Sequence, residues 1–246
     1  MKEYILNKLD VDHYHIDTVS SKRFLYKNIR SNLLLDGDIF EFGVYRGATL
    51  LALGLLLKEL GSDKKIYGFD SFSGFPSYSR EDGFEMFRNN PDVFDDKFIC
   101  ELDSFLEFQK QFNNSEKLNE INLAESLDFS NNDLNYLKKK ISYLKLDNII
   151  LFEGDFQYTI PNFFNSFKGN ILACNIDCDL YEGYNLILPY VYERLVNKGY
   201  IHLDEYYSFK YPGAKIAVDN FVKNSDKILS KQKSRGAEFP RFYITK

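Results

Sequence analysis

The chain has 246 residues, with 31 Lys and Arg against 36 Asp and Glu, giving a formal net charge of −5. That balance, with no compensating basic block, excludes an electrostatic grip on nucleic acid. Hydrophobic content of 44% and charged content of 27% describe a soluble globular chain, read as cytoplasmic; no run nears the ~18 apolar residues of a membrane span, and Met1 to Leu9 lacks a signal-peptide core.

Residues 1–36 read as one or two helices ahead of a sheet. Residues 38–42 form a short strand that runs into Gly43, and 48–60 an apolar helix closed by Gly61. Residues 65–70 are the next strand, which ends in Asp70. Residues 82–147 then break the rhythm: the stretch is polar, rich in Asn and Lys, and helical in pattern near 102–112 and 134–144. An insertion of this length at a ligand-binding edge is read as a lid. Residues 148–153 are a strand, 156–167 a short helix with Pro161, 170–176 a strand and 182–197 a helix ended by Gly199. A strand over 200–204, a helix over 212–229 and a final strand over 241–245 complete the chain. This βαβ rhythm predicts an α/β fold, a doubly wound and mostly parallel sheet, in one domain spanning 1–246.

Two strands stand out because they end abruptly in acid: Asn175-Ile176-Asp177-Cys178-Asp179 and Ile201-His202-Leu203-Asp204-Glu205. Asp177 and Asp204 are separated by one strand–helix–strand unit, which brings their strand ends side by side. Acids so placed repel one another unless a cation sits between them. Hard carboxylates without a partnering His or Cys suit Mg²⁺, Mn²⁺ or Fe²⁺. His202 reads as a satisfied core residue. Cys100, Cys174 and Cys178 have no metal-ligand spacing, and Cys174 and Cys178 read as buried free thiols in a reducing compartment.

The turn Glu41-Phe42-Gly43-Val44-Tyr45-Arg46-Gly47 joins a strand to a helix. Its glycines let backbone approach a ligand, and the helix start offers free N–H groups. Full G-x-G-x-x-G spacing is missing, which disfavours a dinucleotide dehydrogenase. Asp70 is placed to accept from both hydroxyls of a ribose. Ser71 and Phe72 begin a turn compatible with adenosine packing. Asp155 or Gln157 could reach an adenine edge, with Asp155 equally suited to cap the next helix, and Phe156 beside it completes a nucleoside-cofactor set.

Together these segments resemble the macrocin O-methyltransferase family of class I S-adenosylmethionine-dependent enzymes, which act on sugar hydroxyls. The matching pieces are Gly37 to Gly47, Phe69 to Pro76, Ile176 to Glu182, Gly199 to Tyr206, and Ala217-Val218-Asp219-Asn220-Phe221. The resemblance implies a seven-stranded Rossmann-like methyltransferase sheet. It implies that Glu41, Gly43 and Asp70 line an S-adenosylmethionine site and that Asp177, Asp204 and Glu205 hold a divalent metal. Tyr45 stands for the family's usual Trp, Cys178 for Gly, Gly183 for Ser, and Glu205 for a second Asp. The acceptor expected is a sugar hydroxyl, free or nucleotide-linked, including polysaccharide precursors. Asp177 is the first candidate base and Asp179 the second. A non-sugar acceptor, or a non-catalytic nucleoside-binding module, is the alternative; pairing into a homo-oligomer is left open.

Overall fold

The computed structural model describes residues 3–15, 20–112, 129–223, 227–232 and 240–246. Two helices lead, α1 (Glu3–Lys8) and α2 (Arg23–Asn32). The sheet and its connections follow: β1 (Asp38–Phe42), α3 (Ala48–Glu59), β2 (Ile66–Asp70), α4 (Met86–Asn89), α5 (Asp96–Phe112), α6 (Leu134–Leu144), β3 (Ile149–Glu153) and α7 (Phe156–Ser166). The chain closes with β4 (Ile171–Ile176), α8 (Tyr181–Arg194), β5 (Leu195–Leu203), α9 (Pro212–Lys223), β6 (Ile228–Lys231) and β7 (Phe242–Thr245). Among the described residues no helix is long and apolar enough to cross a membrane.

Seven strands form one sheet in the order β3-β2-β1-β4-β5-β7-β6. The first five are parallel, and β7 runs antiparallel between β5 and β6. Strand order therefore reverses between β1 and β4, and the crevice beyond their carboxyl ends is where such sheets bind ligands. Both faces are covered, so the central strands are mostly apolar on both sides, with Glu41, Asn175 and His202 as buried polar exceptions. One face packs Ile39, Ile66 and Ala173 under α2, α3 and α6; the other packs Phe40, Phe42, Phe69, Cys174 and Ile176 under α7, α8 and α9.

The abundant phenylalanines have a specific place. Phe40, Phe42, Phe69, Phe152, Phe163 and Phe164 form a continuous ring cluster on the second face, with Phe69 to Phe152 centroids at 4.7 Å and Phe42 to Phe69 at 4.9 Å. Each fully buried ring contributes about 1.5–3 kcal/mol. The cluster makes β1 and β2 a rigid base for the loops above them.

Two boundaries differ from the sequence reading. The pattern predicts one helix over 212–229; α9 is described to Lys223, residues 224–226 lie outside the description, and 228–231 is a strand paired with β7. Ile228 and Leu229 continue a helical apolar pattern locally; only a distant partner strand makes them extended. The helix predicted to Asn197 ends at Arg194, because Leu195 turns extended and pairs with Ile171. A register irregularity between Ile171 and Ala173 accommodates that early start.

The predicted insertion holds α4, α5 and α6 and meets both sides of the crevice. Phe87, Phe94 and Phe98 pack with Phe209 and Ile216, near the loop after β5. Past residues 113–128, which lie outside the description, Phe129 and Asn131 meet Tyr45, and Leu137 of α6 fills the space above Gly47.

Candidate active site

Above the β1/β4 reversal lies a cavity of about 410 Å³, bounded by the turns that follow β1, β2, β3, β4 and β5. The β1–α3 turn forms its floor. Gly43 and Gly47 adopt left-handed backbone, with φ of 86° and 85°. A Cβ on Gly43 would fall onto the Asp177 carbonyl oxygen, so glycine is what lets the ends of β1 and β4 close together. Asp70 fastens this turn: one carboxylate oxygen accepts from the N–H groups of Val44 and Tyr45, both at 2.8 Å, and the other from Phe72 at 2.7 Å. A carboxylate offers about four lone-pair sites, and these three bonds take up most of them.

Of the expected cofactor residues, Glu41, Gly43, Tyr45, Arg46, Asp70, Ser71, Asp155, Phe156 and Asp177 line the cavity. Phe72 does not. Its backbone is left-handed (φ 50°) and its side chain belongs to the buried core on the first face of the sheet. The turn geometry that offers its N–H to Asp70 points the side chain away from the crevice. Asp155 both lines the cavity and caps α7, accepting from the Gln157 N–H at 2.9 Å. Tyr45 reaches outward, its hydroxyl 2.7 Å from Asn131 Oδ1, and Arg46 lies over the Tyr45 ring.

Glu41 is 2% exposed. Burial, only partly offset by a 2.8 Å hydrogen bond from Asn175 Nδ2, pushes its carboxyl well above the usual range. Its second oxygen has no partner among the described residues. The folded state therefore binds this proton more tightly than the unfolded chain does. Stability from Glu41 is complete below the unfolded value and is lost as pH rises through the folded one. Glu41→Gln is expected to raise stability near neutral pH by about 1–2 kcal/mol, with the gain vanishing in acid, and to weaken donor binding. Urea unfolding at acid and neutral pH checks this; no gain at neutral pH would mean the carboxylate is already satisfied.

At the other end of the cavity, Asp177, Asp204 and Glu205 converge: one oxygen from each lies within 4.8 Å of the others. Burial and the charges of Asp177, Asp204 and Asp179 push the Glu205 carboxyl well above its ordinary value. Its Oε2 accepts from the Tyr184 hydroxyl at 2.6 Å. Asp179 sits on left-handed backbone (φ 64°), and burial with the Asp177 and Asp204 charges raises its carboxyl too. Asp204 behaves oppositely. Burial opposes its charge, yet Lys22 and Arg241 hold it well below the usual range.

The sequence reading missed those two cations. Lys22, 6% exposed, places its Nζ 2.8 Å from Asp177 Oδ2 and hydrogen-bonds Asp204 Oδ1. Arg241 Nε lies 3.2 Å from the same Asp204 oxygen. Nothing local marks Lys22, since it and Asp204 are 182 residues apart. His202 is buried as expected and has two partners. Gln232 Nε2 lies 3.0 Å from Nδ1, which assigns the N–H to Nε2, 3.3 Å from Asp204. Cys174 is buried, Cys178 half-buried, and Cys100 exposed.

Cys178 and Gly183 fit each other. A Cβ on Gly183 would come within 2.7 Å of Cys178 Sγ, so the bulkier residue at 178 is matched by the smallest one at 183.

The sequence matches the macrocin-O-methyltransferase family over residues 25–93 and 90–233. Among solved structures, the calicheamicin methyltransferase CalS11 is similar at a TM-score of 0.64 and 20% identity, over 99% of this chain and 80% of that one. The O-methyltransferase NovP is similar at 0.60 and 19%, over 89% and 75%. An O-methyltransferase from Bacillus cereus in complex with SAH is similar at 0.57 and 10%, over 100% and 92%. No curated protein sequence matches the chain.

Proposed function

The chain belongs to the macrocin-O-methyltransferase family, and on that premise we propose that it methylates a sugar hydroxyl with S-adenosylmethionine as donor. The acceptor proposed is a nucleotide-linked or polysaccharide-precursor sugar, handled in the cytoplasm by one domain spanning 1–246. The observation that carries this reading is one cavity with a glycine-floored turn at one end and three converging carboxylates at the other.

The residues suit both groups. The β1–α3 turn with Gly43 lines the cavity, and the unpartnered Glu41 oxygen would accept from the donor's ammonium. Asp70 would take one ribose hydroxyl, with Asp155 and Phe156 near the base. Asp177, Asp204 and Glu205 form an all-oxygen set of the kind hard divalent ions take, Mg²⁺ first. When bound, the donor supplies an electrophilic methyl group, and the ion supplies positive charge that acidifies a sugar hydroxyl.

The chain's own residues do the rest. Asp177, itself one of the three clustered acids and part of the cavity lining, accepts the hydroxyl proton as general base. Asp179, which lines the same cavity, is the second candidate. Phe75 and Phe129, ring centroids 5.2 Å apart, close one flank and limit water. The insertion that carries Phe129 is proposed as a lid.

A panel of nucleotide sugars offered with S-adenosylmethionine, read by mass for the gain of one methyl, tests the activity. Product is expected from a sugar with vicinal hydroxyls, and turnover is expected to stop in EDTA and return with Mg²⁺ or Mn²⁺. Methylation only of non-sugar acceptors would overturn the acceptor reading, and full activity in chelator would remove the metal from it.

A further inference from the structure

Lys22 reaches into the acid cluster and contacts two of its three carboxylates. The segment that presents it is tied down by its own network. The Lys22 N–H donates to Ser20 Oγ at 3.0 Å, and the Ser20 and Tyr26 hydroxyls both donate to Asp12 Oδ2 at 2.6 Å. Leu25, Tyr26 and Ile29, immediately after it, are fully buried against the sheet. From this fixed base the side chain crosses to the carboxyl ends of β4 and β5, and its ammonium contacts Asp177 and Asp204 together. Both acids belong to the trio whose oxygens lie within 4.8 Å of one another. A divalent ion bound by that trio must stand about 2.0–2.6 Å from each oxygen. The ammonium, 2.8 Å from Asp177 Oδ2 and hydrogen-bonded to Asp204 Oδ1, already engages two of the three acids such an ion would need.

We propose that Lys22 is an internal competitor for the acid cluster, so that a divalent ion enters only by displacing its ammonium. A tethered cation acts at high effective concentration. It therefore keeps the carboxylates neutralised and ordered in the metal-free protein and lowers the apparent affinity for metal. Acceptor hydroxyls, by adding oxygen ligands, favour the metal over the ammonium. Loading is thereby biased toward the ternary complex. The inference rests on the metal reading of the same three carboxylates, and its test separates the two.

Mn²⁺ is titrated into the full-length wild type, Lys22→Met and Lys22→Gln, with free ion read by electron paramagnetic resonance. If Lys22 occupies the site nine times in ten, both variants bind Mn²⁺ roughly tenfold more tightly than the wild type. In the wild type itself, Mn²⁺ raises acylation of the Lys22 amine several-fold, read by peptide mass spectrometry. Equal affinities, weaker binding by the variants, or unchanged Lys22 labelling at saturating Mn²⁺ would overturn the competition while leaving the metal in place. No Mn²⁺ binding by any of the three would overturn the metal reading and the competition together. The wild-type labelling decides the matter even if neither variant folds.

Discussion

Asp177→Asn is expected to lower methyl transfer by about 10²–10⁴-fold, the range over which a positioned general base acts, while donor affinity changes little. The asparagine keeps the shape of the side chain but cannot take up the acceptor proton. It also removes one of the two carboxylates that grip Lys22 Nζ. Gly43, Asp70 and Glu41, the residues proposed for the donor end, make no side-chain hydrogen bond to Asp177 among those described. Turnover with a sugar acceptor and calorimetry with the donor separate these effects. Asp179→Asn is expected to cost less. Donor affinity falling in step with turnover would instead make Asp177 part of the donor pocket.

Asp204→Asn is expected to act on the fold as much as on the chemistry. Asp204 is 8% exposed and neutralises both Lys22 and Arg241. Removing one partner of a buried ion pair costs about 3–5 kcal/mol, because the other charge stays buried without compensation. For a chain of this size that is a fall in Tm of about 6–20 °C. The same contribution is sensitive to acid. A carboxyl held below its unfolded value stabilises above that value and loses its effect as pH falls through the folded one. The double variant Lys22→Met with Asp204→Asn should recover part of the loss, since the two residues act as a pair. A Tm for Asp204→Asn within a degree of wild type would show that Asp177 alone can satisfy both cations.

The sheet was legible because its signals are local and periodic. Leu50 to Leu57 is apolar throughout and the helix ends near Gly61, and each parallel strand is bounded by a turn residue or an acid. The carboxylates were legible for the same reason: an acid directly after a buried strand can only emerge at that strand's carboxyl end. The edge strand β6 was not, since Ile228 and Leu229 carry no alternation that distinguishes them from a helix's last turn. Phe72 was misplaced because one left-handed residue reverses the direction of a side chain, and a turn's sequence does not reveal which residue takes that conformation.

Along the chain alone, Glu41, Gly43, Asp70, Asp177, Asp204 and Glu205 already stood at the ends of strands, and a family resemblance already pointed to methyl transfer to a sugar hydroxyl. Periodicity and spacing suffice for the strand ends, because both act over one strand or one βαβ unit, whereas the activity came from the resemblance alone. Tertiary structure decided how the acids are balanced. It set Lys22 and Arg241 against Asp204, Tyr184 against Glu205, and Asn175 against one oxygen of Glu41, leaving the other without a partner. These are contacts between elements far apart in the chain, and charge acts through space, so no pattern of neighbouring residues records them.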